Sequence, residues 1–305
     1  MNLEALKVFC DVVRCQSFSR GAALNKVSQS AASQAVHQLE EHFGVQFIDR
    51  SKRPFLLTPE GQLCYDGLRE VLDRFEEAES RVHSLRGEIN GVVRVASIYS
   101  VGLHDMSRCM QEFMTRYPKA RVRLEYLRYN RVIEAVLDDA VDLGIVSYPT
   151  EGRGIAASPL RTETMVLVCH PSHRLALAKK ITLEQLRGED FVAFDKDLAI
   201  QRELDKHFRQ HQVAVRIVMS FDNIETIKQA IEIGSGISIL PEPTVRKEVE
   251  GGTLAAVPLA HSELRRPLGI IYRQRKIFTP TLTKFIELLK EEQGEPAAWA
   301  KTPGG

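Results

Sequence analysis

Gln29, Ser30, Ser33, Gln34, His37 and Gln38 recur at the three- and four-residue intervals of one helical face, opposite Val36 and Leu39. A glutamine carboxamide both donates and accepts, which lets it bond bidentately to adenine N6 and N7, and serine hydroxyls pair with several base edges. The first turns of such a helix sit deepest in a major groove, so Gln29, Ser30, Ser33 and Gln34 are the candidate base contacts, with His37 beside them. A little downstream, Arg50, Lys52 and Arg53 crowd one turn, a pattern suited to phosphates or the minor groove. Either group alone would read as an ordinary solvated face; their order along the chain makes them a candidate nucleic-acid reader.

A second constellation is spread over the C-terminal two thirds. Ser97, Tyr99 and Ser100 follow one short apolar run; Leu127, Arg128 and Tyr129 follow a second, and Ser147 a third. Phe194, Asp195 and Lys196, then Asp222 and Asn223, follow two more. In α/β domains ligands bind at the carboxyl ends of strands, so these are the candidate small-molecule contacts. The hydroxyls, Arg128 and a helix N-terminus after Ser100 suit a small carboxylate or oxyanion. Asp195 and Asp222 oppose an anion unless they are paired, which keeps an amine-bearing ligand open. For any single residue of this set, capping of a strand–helix loop is the competing reading.

Catalytic signatures are missing. The sequence contains no G-x-S-x-G, no Walker loop and no H-E-x-x-H, and Gly234-Ser235-Gly236 lacks the context of a dinucleotide loop. It reads as a non-enzyme without a cofactor. His170/His173 and His207/His211 have no third metal ligand nearby, so no metal is expected. Cys10, Cys15, Cys64, Cys109 and Cys169 are odd in number and form no C-x-x-C pair, which fits a reduced, cytoplasmic protein rather than a disulfide framework.

These residues need elements to hold them. Leu3, Leu6, Phe9, Cys10 and Val13 mark a first helix to about Cys15; Ser19 then caps a short second one through Leu24. Ser28 caps a third, about 29–43, which Gly44 ends. Small residues at Ala22, Ala23, Ala31 and Ala32 would let the second and third helices approach, giving a helix-turn-helix. The stretch 45–58 reads as a hairpin with a basic tip, a wing. From Pro59 a long helix carries Cys64, Leu68, Val71, Phe75, Ala78, Val82 and Leu85 at alternating spacings of four and three, flanked by charge. That seam predicts a dimerising coiled coil. Residues 87–91 read as a hinge. Beyond it strands 92–97, 121–126 and 142–146 alternate with helices 103–117 and 130–140, a βαβαβ order that predicts a parallel sheet with right-handed crossovers. Strands 164–168, 191–194, 216–219 and 237–240 alternate with helices 182–186, 200–210, 224–233 and 243–250. A last strand, 268–273, precedes a helix at 280–292, and 294–305 reads as a disordered tail.

Composition agrees. In 305 residues, 44% are hydrophobic, 27% charged, and the net charge is +1, so the chain is globular and any contact with nucleic acid relies on a local patch. No apolar run approaches the roughly 18 residues of a membrane span, and the N-terminus shows no secretory leader, so no membrane is expected.

Leu3-Glu4-Ala5-Leu6-Lys7-Val8-Phe9, Ser17-Phe18-Ser19-Arg20-Gly21-Ala22-Ala23 and the run from Val27 to Glu40 together resemble the winged helix-turn-helix of LysR-type transcriptional regulators. Gly44-Val45-Gln46-Phe47-Ile48-Asp49-Arg50 and Leu57-Thr58-Pro59-Glu60-Gly61 continue the match, and segments 170–176 and 234–241 are similar to landmarks of the family's effector domain. Ser30 departs from the family, which usually has proline there. The resemblance implies an N-terminal winged helix-turn-helix (1–58), a dimerisation helix (59–88) and a two-lobed, periplasmic-binding-protein-like α/β effector domain (89–293). Lobe one would be 91–160 plus 268–292, and lobe two 161–267. It further implies a homodimer that often assembles into a homotetramer, with promoter DNA, RNA polymerase and a small-molecule effector as partners.

Overall fold

The computed structural model describes residues 2–85, 88–101, 106–152, 154–260 and 264–291. It divides into one unit formed by Met1–Gly91 with Ile277–Thr283 and a second that begins at Val92.

The first unit is built from α1 (Leu3–Cys15), α2 (Phe18–Leu24), α3 (Gln29–Phe43), β1 (Ile48–Asp49), β2 (Leu56–Leu57) and α4 (Pro59–Leu85). Each early helix is started by a side chain that satisfies an orphan N–H: Asn2 accepts from Ala5, Ser17 from Arg20 and Ser28 from Ala31. Ser17 thus fills the role expected of Ser19. Gly44 ends α3 with φ +70°. The helices bury Phe9, Val12, Val36 and Leu39 against Phe47 and Ile48 of the wing base. Of the four alanines expected at the helix contact, Ala22 and Ala32 are buried but Ala23 and Ala31 are exposed. Gly21 lets α2 approach α1 rather than α3: a Cβ there would sit 2.6 Å from Val12 Cα. Buried Glu40 accepts from the Phe47 and Ile48 amides at 2.9 and 3.2 Å, and this tethers the antiparallel wing, β1 with β2, to α3.

Along α4 the seam divides. Cys64 and Leu68 pack on the N-terminal core, whereas Val71, Phe75, Ala78, Val82 and Leu85 are not part of it, and the large ones stand exposed, Leu85 at 89%.

The second unit contains β3 (Gly91–Ile98), α5 (Tyr99–Val101), α6 (Ser107–Arg116), β4 (Ala120–Leu127), α7 (Tyr129–Leu137), β5 (Leu143–Ser147), β6 (Ile155–Cys169), β7 (Asp190–Phe194), α8 (Ala199–Gln210), β8 (Arg216–Phe221), α9 (Ile224–Glu232), β9 (Ser238–Pro241), α10 (Arg246–Glu250), β10 (Ala255–Pro258), β11 (Arg265–Arg273) and α11 (Pro280–Glu291). Seven strands share a sheet in the order β10-β6-β11-β5-β3-β4, with β9 also on β6; β7 and β8 form a separate parallel pair. The parallel sheet expected from sequence is therefore mixed: β3 and β5 are parallel, but β11 inserts antiparallel to both β5 and β6. Strand direction depends on where the chain returns, which local patterning does not encode.

Several boundaries moved for local reasons. The helix expected at 130–140 stops at Leu137, and two residues later Asp139 adopts φ +52°. The strand expected at 164–168 starts at Ile155, its early half hidden in the sequence by Pro159, which sits at a register shift opposite Gly269. Segment 182–186 is a 3-10 turn, Leu183–Leu186, and 243–250 divides into a 3-10 turn and α10. The helix expected from 103 begins at Ser107; 102–105, part of the 87–91 hinge and the 294–305 tail lie outside the described residues.

Two cores fill this unit. One gathers Val132, Val136, Val146 and Ile271; the other gathers Val168, Phe191, Leu204 and Ile227. β6 and β11 run between them. A buried charge cluster pins the returning chain beyond β11: Lys276 Nζ lies 3.1 Å from Asp139 and 2.8 Å from Asp142, and Asp142 also pairs with Arg94 at 2.9 Å.

Candidate functional site

On α3 the expected face is laid out for contact. Gln29, Ser30, Gln34, His37 and Gln38 are exposed, and Ser33 is half-buried. Gln29 Oε1 accepts from Ser19 Oγ at 3.0 Å, which fixes its carboxamide against α2. Ser30 Oγ lies 2.9 Å from Ser28 Oγ, within the capping turn. His37 Nε2 is 3.2 Å from Glu41.

The basic trio of the wing separates in the structure. Arg50 reaches back to the buried Glu40 at 3.3 Å, and its guanidinium stacks 5.4 Å from the Phe18 ring centroid. It fastens the wing base to the helices. Lys52 and Arg53 are the exposed charges of the tip. Beside them Ser51 donates its hydroxyl (2.6 Å) and backbone N–H (2.9 Å) to Asp49, and these bonds lower the Asp49 pKa.

The second constellation is only partly assembled as expected. Ser97 is fully buried, its hydroxyl donated to the Ile98 carbonyl at 3.2 Å, and Phe194 belongs to the second core. Both differ from the expected open position because their strands are buried on both faces to the end, Val95–Ser97 and Phe191–Phe194 in unbroken runs, so the last residue of the run is core whichever way it points. Tyr99 is exposed, 6.1 Å from the Tyr126 ring, and Tyr129 packs against the first core. Ser147 and Asp195 are half-buried, and the Asp195 amide donates to the Phe221 carbonyl at 2.9 Å. α5 packs against α9, so the residues after β3 lie beside a helix of the second half.

Arg128, expected to attract an anion, forms an ion pair with Asp222 that joins the two halves. Asp222 also accepts from Asn223 Nδ2 at 3.0 Å, and Asn223 caps α9 by accepting from the Thr226 amide at 2.9 Å. For Asn223 the capping reading holds.

Sequence reasoning missed a buried group on the crossing strands. Arg266, 1% exposed, donates from Nε (2.8 Å) and Nη2 to Glu163 Oε2, and from Nη1 to Ser100 Oγ at 2.9 Å. Arg161 Nη2 takes the other Glu163 oxygen at 2.9 Å. Burial pushes the Glu163 carboxyl up, but the two guanidiniums outweigh it and hold the group below its usual range. The only hint in the sequence is charge inside apolar strands, at Arg161, Glu163 and Arg266. Nearby, Tyr148 donates to the Arg265 carbonyl at 3.3 Å, and burial pushes its pKa up to about 12.

Two of the thiols are held in their neutral form by burial. Burial pushes Cys10 up to about 12 and Cys169 up to about 11, which keeps both protonated. His173 pairs with Glu189 and His211 with Glu184; among the described residues no group of three His, Cys, Asp or Glu is placed to hold a metal. An open cavity of about 330 Å³ beside β6 and β11 is lined by Pro149, Ser158, Arg161, Thr162 and Pro267 among others, and by none of the expected ligand residues. No described helix is long and apolar enough to cross a membrane.

Comparison with known proteins places both regions. Residues 3–62 match the family profile described as bacterial regulatory helix-turn-helix protein, lysR family, and residues 86–294 match that of the LysR substrate binding domain. The chain is 27% identical over 287 residues, 94% of its length and 96% of the relative's, to the uncharacterized HTH-type transcriptional regulator YeiE of Escherichia coli K12. A full-length OxyR variant from Pseudomonas aeruginosa shares the fold at TM-score 0.73 and 20% identity, covering 95% of this chain and 94% of that one. The regulatory domain of CcmR from Synechocystis, solved in complex with 2-PG, aligns at TM-score 0.60 and 25% identity over 66% of this chain and 97% of that domain.

Proposed function

The chain belongs to the LysR family of bacterial regulators, DNA-binding transcriptional regulators with an effector-binding domain, and on that premise we propose how its residues divide the work. α3 enters the major groove and reads bases with Gln29, Ser30, Ser33 and Gln34, with His37 at the groove margin. Lys52 and Arg53 contact phosphate or the minor groove, and Arg50 holds the wing in place while lending its charge. The observation that carries this reading is the exposed polar face of a helix that is capped at both ends and docked on a packed core.

The DNA-binding domain is 1–58, the dimerisation helix 59–88 and the effector domain 89–293. Two copies pair through the exposed row on α4, and pairs associate into a tetramer on promoter DNA, where RNA polymerase is the further partner. The protein works in the cytoplasm as a regulator, without catalysis or a cofactor. Its effector lies between the halves of the C-terminal domain, near Tyr99, Ser100, Arg128, Tyr129, Ser147, Asp195 and Asp222. The 2-PG held by the related CcmR domain supports a small ligand in this domain.

Mobility-shift and footprinting assays on the DNA upstream of its own gene and the divergent neighbour test the reading. Salt-sensitive protection of a two-fold-related site is the expected result. Binding with no preference over random DNA would overturn sequence-specific recognition.

A further inference from the structure

The geometry points to Arg266 as the residue that sets the hydrogen-bond polarity of the effector site, by committing Ser100 to donate toward an oxygen-bearing ligand such as a carboxylate or phosphate. This rests on the reading of the cleft given above and adds a residue and a ligand chemistry to it.

A guanidinium has only donors, so in the 2.9 Å contact between Arg266 Nη1 and Ser100 Oγ the serine must accept. A hydroxyl has a single proton, and no acceptor for that proton stands among the described residues. Ser100 is half-buried at the start of α5, which packs against α9, so its oxygen is held by Arg266 while the residue keeps part of its surface. A ligand group that only donates, such as an ammonium, can use only the second lone pair of Oγ and meets a cluster of net positive charge, two guanidiniums on one carboxylate. An anionic oxygen accepts it in a charge-assisted bond.

The polarity is fixed because Arg266 cannot turn away. Its Nε and Nη2 are both engaged by Glu163, its side chain is 2% exposed and that of Glu163 is 3% exposed. Glu163 is held in turn by Arg161. Three elements meet here: β6 and β11, which run between the two cores, and the short α5 that follows β3. Arg128 does not fill this role, since Asp222 already neutralises it. Arg266 is a positioning residue: it acts through Ser100.

The test uses the full chain and thermal unfolding at constant ionic strength. Sodium acetate and inorganic phosphate serve as acceptor probes, and ethylammonium chloride as the donor-only control. Acetate or phosphate should raise the Tm saturably, and ethylammonium should not. Losing a hydrogen bond to a charged group weakens binding roughly tenfold, so S100A and R266K should each shift the acetate or phosphate midpoint by about that factor. S100T should restore it, and R123Q, which removes a charge on β4, should leave it unchanged. If Arg266 acts through Ser100, the double variant S100A/R266K should bind no worse than either single one. Should R266K fail to fold, E163D, which draws the guanidinium back from Ser100, takes its place. Stabilisation by ethylammonium equal to that by acetate, a midpoint in S100A within twofold of wild type, or no saturable response to either anion would each overturn the proposal. Footprints of the same proteins on operator DNA judge the regulator reading separately, and S100A is expected to keep its footprint.

Discussion

At the scale of single residues, the proposed reading face on α3 is distinct from the groups that hold it. Gln34 is exposed on α3, and the proposed base contact would use both ends of its carboxamide. A bidentate base contact is worth about 1–3 kcal/mol of discrimination, so Gln34→Ala should lower preference for the operator over random DNA by that amount. Equal losses on both DNAs in a competition titration would remove the base-reading role. Lys52 and Arg53 predict a different signature: each change to Ala should weaken binding to all sequences alike and reduce the salt dependence of log K by about 1. Glu40 holds rather than reads. Its carboxylate satisfies two buried amides and pairs with Arg50, so Glu40→Ala should cost about 1–3 kcal/mol or more in chemical denaturation, with DNA affinity lost only as folding is lost.

At the scale of elements, α4 serves two purposes along its length. Its first turns finish the helix-turn-helix core through Cys64 and Leu68; from Val71 onward its apolar row lies outside that core. A row of apolar side chains at heptad spacing gains stability in water when a second helix covers it. Phe75→Glu or Val82→Glu, which places charge in that row, should convert the dimer to monomer in sedimentation velocity at micromolar protein. Operator affinity should fall with it, since two linked reading helices bind far more tightly than one. A variant that stays dimeric would move the interface off this helix.

At the scale of the whole molecule, the chain must come back to where its second unit began, and the Lys276 cluster secures that return. Burial pushes the Asp142 carboxyl up, but Arg94 and Lys276 outweigh it and bring the pKa from 3.8 down to about 2. A carboxyl whose folded pKa lies below its unfolded value adds stability above the unfolded pKa and loses it as pH falls through the folded one. At 1.36 kcal/mol per unit this amounts to about 2 kcal/mol, present above about pH 4 and gone by about pH 2. Urea midpoints measured across that window should fall in the wild type and flatten in Asp142→Asn. Lys276→Met removes a cation shared by two buried carboxylates, of which Asp142 keeps Arg94, and should cost about 3 kcal/mol near neutral pH.

What the sequence determined by itself was much of what local chemistry dictates, although Ser17 rather than Ser19 caps α2. The caps at Ser28 and Gly44, the stripe of Val36 and Leu39, and the polar face opposite follow from periodicity, as does the α4 seam. The strand–helix alternation of the C-terminal half was legible for the same reason. What the tertiary structure alone decided was partnership between segments distant in the chain. Arg50 turned from the wing tip to Glu40, Arg128 met Asp222, and Arg266 joined Glu163 and Ser100 across separations of 103 and 166 residues. Strand direction belongs with these: β11 lies antiparallel between β5 and β6 because the returning chain fills the gap there. A guanidinium carries the same charge wherever it stands, and only the packed chain shows which carboxylate or hydroxyl has been brought within hydrogen-bonding reach of it.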